Sequence, residues 1–164
     1  MKINLSNIFE MQSKLDKTIQ SNHNVAYPVI FEKLKLALLV ELCELANEVR
    51  FFKYWSNKQP SPKNVILEEY VDGIHFITSI CLAKGCDSII EIEENYPIAN
   101  KNELTQIFLD LSSSIKGLDT QEKIKEWYKK YLILGIKLGL TTKEIVDSYI
   151  NKNKINFERQ ENNY

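Results

Sequence analysis

Closely spaced carboxylates occur in two stretches of this 164-residue sequence. The stretches are VELCELANEV (40–49), which carries Glu41, Glu44 and Glu48, and LEEYVDGIHF (67–76), which carries Glu69 and Asp72. Residues three or four apart lie on one face of a helix, so each stretch would present two or more carboxylates side by side. Paired carboxylates can bind a hard cation or take part in proton transfer.

A helical wheel puts these acidic residues on the apolar side of their helices. On a wheel centred on Glu41, apolar residues such as Leu38 and Leu45 lie within about 60° of it. On a wheel centred on Glu69, Gly73 and Phe76 lie in the same sector. Burial of even one unpaired carboxylate costs several kcal/mol, roughly, and the two stripes contain no Lys or Arg. A divalent cation would compensate, and Mg²⁺ is the cation that prefers such oxygen ligands. The predicted metal ligands are Glu41, Glu44, Glu69 and Asp72.

Two other interpretations of the carboxylates stay open from the residues alone. They could be ordinary surface glutamates on helices that are rotated differently. A di-iron bundle would need Glu-x-x-His motifs. His75 follows Asp72 by three positions, but His23 is the only other histidine in the sequence, which weakens the iron hypothesis.

The elements that position these residues are predicted to be helices. Five glycines and four prolines leave long segments uninterrupted, and 44% hydrophobic residues are enough for one core,. We expect a compact all-α bundle of about six helices in a single domain (1–164). The predicted helices cover about 6–21, 30–53, 63–84, 102–116, 120–138, and a last one from Thr141 or Thr142 toward Asn156.

Charge and composition exclude several classes of function. A formal net charge of −1 argues against binding to nucleic acid through bulk positive charge,. The longest aliphatic run, 36–40, is far too short to span a membrane,. Three cysteines without a CxxC pair predict reduced, mostly buried thiols and a cytoplasmic location,.

Four segments together resemble the dimeric, all-α dUTPases, which are relatives of the MazG-like nucleoside triphosphate pyrophosphatases. The segments are FEMQSKLD (9–16), VELCELANEVRFFKYWS (40–56), LEEYVDGIHFI (67–77) and YINKNKINFERQENNY (149–164). The resemblance implies a four-helix metal-binding core and Mg²⁺-dependent hydrolysis of dUTP, and also of dUDP, at the α-phosphate. It also implies a homodimer, for which the apolar run 131–136 is a further argument.

The C-terminal segment could contact phosphates. If the last helix continues, Lys152, Asn156 and Arg159 share one face and combine two cations with an amide donor. Tyr164 resembles the terminal tyrosine of the family, although Asn163 stands where the family usually has glycine. We expect residues 156–164 to form a mobile phosphate-binding tail that becomes ordered with ligand; a solvated basic tail is the alternative.

Four residues are similar to base-contacting positions of the family: Gln12, Asp16, Trp55 and His75. An amide and a carboxylate can form hydrogen bonds with the polar edge of uracil, and a flat indole ring can pack against the base. Trp55 could instead be a core tryptophan at a helix end, and His75 a structural histidine.

We expect in-line attack of water on the α-phosphorus, with Mg²⁺ ions held by the four carboxylates bridging the phosphates and lowering the pKa of the attacking water. Glu41 is the predicted water-positioning residue, with Glu48 as its substitute, while Lys152 and Arg159 offset charge on the leaving pyrophosphate. Two rival functions remain: a MazG-like hydrolase of another nucleotide such as dCTP, and a non-catalytic helical interaction protein.

Overall fold

The computed structural model describes residues 2–93 and 96–162. Its helices are α1 (Ser6–His23), α2 (Tyr27–Val49), α3 (Lys63–Lys84), α4 (Lys101–Ser114), α5 (Gln121–Lys137) and α6 (Thr142–Glu161). A 3₁₀ turn, Ile115–Gly117, follows α4. The all-α prediction is confirmed, since the described residues form six α-helices and very little strand. None of the helices in the described ranges combines the length and the apolar composition that a membrane crossing requires.

Several helix ends follow from local sequence chemistry. Asn100 caps the start of α4: its side chain accepts hydrogen bonds from the backbone amides of the first turn, while the Glu103 side chain accepts from the Asn100 amide,. α6 begins with the same capping box, built from Thr141 and Glu144. Gly85 follows the last residue of α3 and has a left-handed φ of 70°, a conformation that glycine adopts without steric cost.

The structure differs from the predicted elements at three places. Strands β1 (Lys2–Asn4) and β2 (Ile89–Glu91) pair antiparallel, with Ile3 opposite Ile90; three residues are too few for an alternating pattern to stand out in a sequence. α2 ends at Val49 rather than near residue 53, because Arg50 turns into a left-handed conformation. α6 runs on to Glu161, so residues 156–161 are helical.

α3 lies at the centre of the bundle and packs against α1, α2, α5 and α6. Its contact with α5 is reciprocal. Tyr70 donates a hydrogen bond to the Tyr131 carbonyl (3.0 Å), Tyr131 donates to the Tyr70 carbonyl (2.9 Å), and the two rings stack at 4.7 Å. Each ring lies against a glycine of the other helix, Gly73 and Gly135. The apolar run 131–136 is therefore buried or half-buried by the chain itself, and it gives no argument for a second copy.

We expect Gly73→Ala to destabilise the fold by about 1–3 kcal/mol, because a Cβ at this position would lie 2.2 Å from the Tyr131 hydroxyl oxygen,. Gly117→Ala is the matched control, since a Cβ there meets nothing within 4 Å. Chemical denaturation of both variants measures the difference. Equal stability of the two variants would contradict the close packing of α3 on α5.

Candidate metal and nucleotide site

The packing of α2 against α3 brings three carboxylates together. Glu41 comes from α2, and Glu69 and Asp72 come from α3; one carboxylate oxygen from each lies within 4.8 Å of the others. All three side chains are half-buried. The wheel prediction that carboxylates of both helices converge is therefore correct for these residues. An all-oxygen set at this spacing suits a hard divalent cation.

The electrostatics of the cluster favour a cation. Burial raises the pKa of Glu41 to about 8, with further contributions from the charge of Asp72 and the hydrogen-bonded Glu44 carboxylate. Burial also raises the pKa of Glu69 and of Asp72, and neighbouring carboxylates add to the effect. Each shift reflects the cost of burying a charged carboxylate first and the repulsion of neighbouring carboxylates second, and for Asp72 the bond to Lys152 opposes it,. A bound divalent cation would supply the missing positive charge.

The other acidic residues of α2 lie outside this cluster. The buried face of α2 is formed by Leu38, Leu42 and Leu45. Glu44 is exposed, so the prediction that it shares the buried face is wrong, although it is close enough to bond to Glu41. Glu48 accepts a hydrogen bond from the Ser61 hydroxyl and is already engaged with the loop that precedes α3.

A cation from α6 reaches the cluster. Lys152 Nζ lies 2.8 Å from Asp72 Oδ2 and 3.0 Å from Glu68 Oε1, and its side chain is only 12% exposed. Burial lowers the pKa of Lys152, but the bonds to Asp72 and Glu68 outweigh this and raise the pKa overall. The two acidic stripes lack a basic residue of their own, and tertiary packing supplies it from a third helix.

A cavity of about 250 Å³ opens beside the carboxylates. Glu41 and Asp72 line one part of it, and Leu15, Leu34 and Phe76 give it an apolar wall. The predicted base and phosphate residues that also line it are Gln12, Asp16, His75, Lys152, Asn156 and Arg159. Residues predicted from three distant segments therefore meet at one cavity.

A hydrogen-bond network connects the predicted base residues. Gln12 Nε2 donates to Asp16 Oδ1 (2.8 Å) and to Ser79 Oγ (3.1 Å). Ser79 donates to the same Asp16 oxygen (3.0 Å), and the Tyr27 hydroxyl donates to Asp16 Oδ2 (2.6 Å). Sequence reasoning missed Ser79 and Tyr27. Ser79 lies one turn after His75 on the same face of α3, a spacing that could have indicated it; no sequence signal indicated Tyr27.

His75 is buried at the wall of the cavity. Its ring stacks on Tyr149 of α6, with centroids 4.3 Å apart, and its Nδ1 lies 2.6 Å from Gln12 Oε1. Burial, and then the charge of Lys152, lowers the pKa of His75 to about 3, so the ring is neutral at physiological pH. Tyr149 was another residue that sequence reasoning did not place at the site.

Two predicted contacts are not part of this arrangement. Trp55 is 65% exposed, which excludes a core position. It packs on Phe52 and Tyr54 after the end of α2 and does not line the cavity of its own chain. Tyr164 lies outside the described residues.

The helical bundle, the carboxylate cluster and the adjoining polar cavity have the features of an all-α nucleotide hydrolase. A family model described as dUTPase, dUTPase_2, matches residues 4–164. The chain therefore belongs to the all-α dUTPase family, and the resemblance noted in the sequence is confirmed. No curated protein matches the chain.

We expect the stability of the metal-free protein to depend on Glu41 and pH. The pKa of Glu41 is about 8 in the folded chain and 4.5 ordinarily, so between these values the folded state holds a proton that the unfolded state has lost. Stability must then fall as pH rises through this window. Thermal unfolding with a chelator, from about pH 5 to about pH 8, should show a steeper loss for wild type than for Glu41→Gln.

Added Mg²⁺ should reverse this loss in the wild-type protein and should have less effect on Glu41→Gln. If the stability of the two proteins depends on pH in the same way, with and without chelator, then the raised pKa of Glu41 is not the source of the pH dependence.

Proposed function

We propose that the protein hydrolyses dUTP to dUMP and pyrophosphate, and also hydrolyses dUDP at the α-phosphate, with Mg²⁺. The observation that carries this proposal is the convergence of Glu41, Glu69 and Asp72 within 4.8 Å beside a cavity lined by polar and apolar side chains. The family assignment supports a nucleotide hydrolase in general. The substrate and the identity of the cation are our proposal.

Glu41, Glu69 and Asp72 would hold the cation, and Glu44 would assist from the exposed rim. When bound, the cation supplies charge neutralisation on the phosphate oxygens and acidifies the attacking water. The protein contributes position: α2 and α3 fix the three carboxylates before the substrate arrives. Glu41 is the proposed water-positioning residue, because Glu48 is occupied by Ser61.

One face of α6 would hold the phosphates. Lys152 and Asn156 are half-buried at the cavity, and Arg159 lies one turn further along the helix. Lys152 bonds to Asp72 in the free chain, so an incoming phosphate and a cation at Asp72 would both favour its release from that carboxylate. A lysine and an arginine at this position would offset the charge that develops on the leaving pyrophosphate.

The apolar wall of the cavity would receive the base. Leu15, Leu34 and Phe76 offer a surface on which a flat ring can pack, and Gln12 and Asp16 lie at the polar side. A volume of about 250 Å³ is below that of most complete ligand pockets,. The triphosphate would therefore extend out of the cavity, past Asp72 and along α6.

Pyrophosphate release from a panel of deoxynucleoside triphosphates tests the proposal, measured with wild type, Glu69→Gln and Glu126→Gln. We expect Mg²⁺-dependent turnover of dUTP by wild type and a loss on the order of 100-fold in Glu69→Gln, because the variant removes one charge from the cluster. Glu126 is an exposed residue of α5 and serves as the control. Turnover of dCTP in place of dUTP would favour the alternative nucleotide hydrolase. Absence of metal-dependent turnover would favour an interaction protein.

We further propose a homodimer that is formed through α2. Val29, Leu36 and Val40 share one face of this helix and are all exposed in the single chain,. Trp55 and Phe52 add exposed aromatic surface just beyond the end of α2. A second copy packed on this face of α2 would cover apolar area that otherwise faces water. The interface would also lie beside Glu44, which follows Val40 by one helical turn.

Leu36→Glu should convert the dimer to a monomer, because it places a charge in the middle of the proposed interface. Leu109→Glu is the matched control, since Leu109 is similarly exposed but lies on α4. Light scattering at micromolar concentration gives the mass of each protein. If the wild-type protein is a monomer, or if Leu36→Glu remains a dimer, the proposed interface through α2 is wrong.

A further inference from the structure

Two of the three cysteines come together where α3 ends. Gly85 turns the chain out of the helix with its left-handed φ. The Cys86 amide then donates to the Cys81 carbonyl (3.0 Å), and the Gly85 amide donates to the Leu82 carbonyl (3.2 Å). These two bonds define a Schellman motif, which commonly brings the side chains of its first and last residues into contact. In this chain both of those residues are cysteines.

The two thiols are hydrogen-bonded to each other. This bond, together with burial, raises the pKa of Cys81 well above its usual range. The same bond lowers the pKa of Cys86; the charge of Lys125 acts in the same direction, while burial opposes both. The Cys81 S–H is therefore the donor and the Cys86 sulfur is the acceptor. Of the two sulfurs, that of Cys86 forms the reactive thiolate more readily.

Contacts with α5 hold this end of α3 in place. Gln121, the first residue of α5, donates from Nε2 to the carbonyls of Lys84 (2.8 Å) and Gly85 (3.2 Å). Cys86 Sγ lies 3.9 Å from the Gln121 carbonyl oxygen, to which it donates. Tertiary contacts therefore fix the position of Cys86 as firmly as the turn itself does.

The two sulfurs differ in their access to solvent. Cys81 is fully buried (0% exposed), whereas Cys86 keeps 9% exposure. The next residue, Asp87, lines an open cavity of about 1120 Å³ together with Lys125, and these two side chains form an ion pair (2.6 Å). Solvent therefore comes within one residue of Cys86. A small oxidant that enters this cavity meets Cys86 first, with Cys81 behind it.

We propose that Cys81 and Cys86 are a redox-sensitive pair, which hydrogen peroxide converts to a reversible disulfide across the end of α3. The Cys86 sulfur attacks one peroxide oxygen, the O–O bond breaks, and the departing hydroxide takes up the thiol proton as water. Cys86 is then a sulfenic acid. The Cys81 sulfur attacks the Cys86 sulfur, the S–O bond breaks, and the oxygen leaves with the Cys81 proton as a second water. Two thiols and one peroxide thus give one disulfide and two waters.

The disulfide would act on the central helix of the bundle. Ser79, which belongs to the polar network of the nucleotide cavity, precedes Cys81 by two residues. The link would fix the part of α3 that carries this network. It would also close a short loop and thereby restrict the unfolded chain, which stabilises the folded state. The inference stands apart from the proposed nucleotide chemistry, because it needs neither a cation nor a substrate.

The test treats the folded wild-type protein with an equimolar amount of hydrogen peroxide. After catalase quenching, the protein is unfolded and its remaining thiols are labelled with N-ethylmaleimide. Peptide mass spectrometry should find Cys81 and Cys86 joined and unlabelled, while Cys43, the exposed thiol of α2, stays labelled as the internal control. The Cys86 thiol should disappear at least about tenfold faster than the Cys43 thiol. Dithiothreitol should restore all three labels.

Two further measurements separate a formed link from simple oxidation. The oxidised protein should unfold at a temperature about 4 °C higher than the reduced protein. In Cys81→Ala the Cys86 sulfenic acid has no thiol to condense with, so dimedone should trap it. Labelled Cys81 and Cys86 after treatment of the wild type, a link that joins Cys43, or a lower unfolding temperature on oxidation would each overturn the proposal. The wild-type results decide the question even if Cys81→Ala folds poorly.

Discussion

Three carboxylates held close together by helix packing are the constraint on which the rest of this structure depends. Glu41, Glu69 and Asp72 repel one another and are partly withdrawn from water, so each favours its protonated form,. The packing of α2 on α3 brings Glu41 to the two carboxylates of α3, and Lys152 of α6 holds Asp72. The hydrophobic contacts of these helices therefore stabilise an arrangement that the carboxylates alone would disrupt.

The central position of α3 explains how the cluster and the cavity share one scaffold. Along one helix, Asp72 faces the cluster, His75 faces the cavity and Ser79 closes the polar network. The reciprocal Tyr70–Tyr131 contact fixes α3 against α5. It therefore fixes the rotation of α3 about its axis, and with it the directions of these three side chains. Side chains on a well-packed helix are held more firmly than side chains on loops, and such preorganisation favours a binding site.

The polar network restricts which groups remain available for a ligand. Gln12, Asp16, Ser79 and Tyr27 pair with one another, so they shape the cavity more than they offer free contacts. Lys152 is likewise paired, with Asp72 and Glu68. In the free chain this lysine partly compensates the charge that a cation would neutralise, which couples the phosphate-binding face of α6 to the carboxylate cluster.

The sequence by itself determined the helical class and most helix limits, because apolar periodicity, capping residues and glycine act locally. It also indicated Glu41, Glu69 and Asp72, since helical spacing alone places acidic residues on a common face. Tertiary structure decided the exposure of Glu44, the arrival of Lys152 from α6, and the partners of Gln12 and Asp16. These depend on the rotation and contact of helices distant in sequence, and hydrophobic burial at many positions sets that rotation.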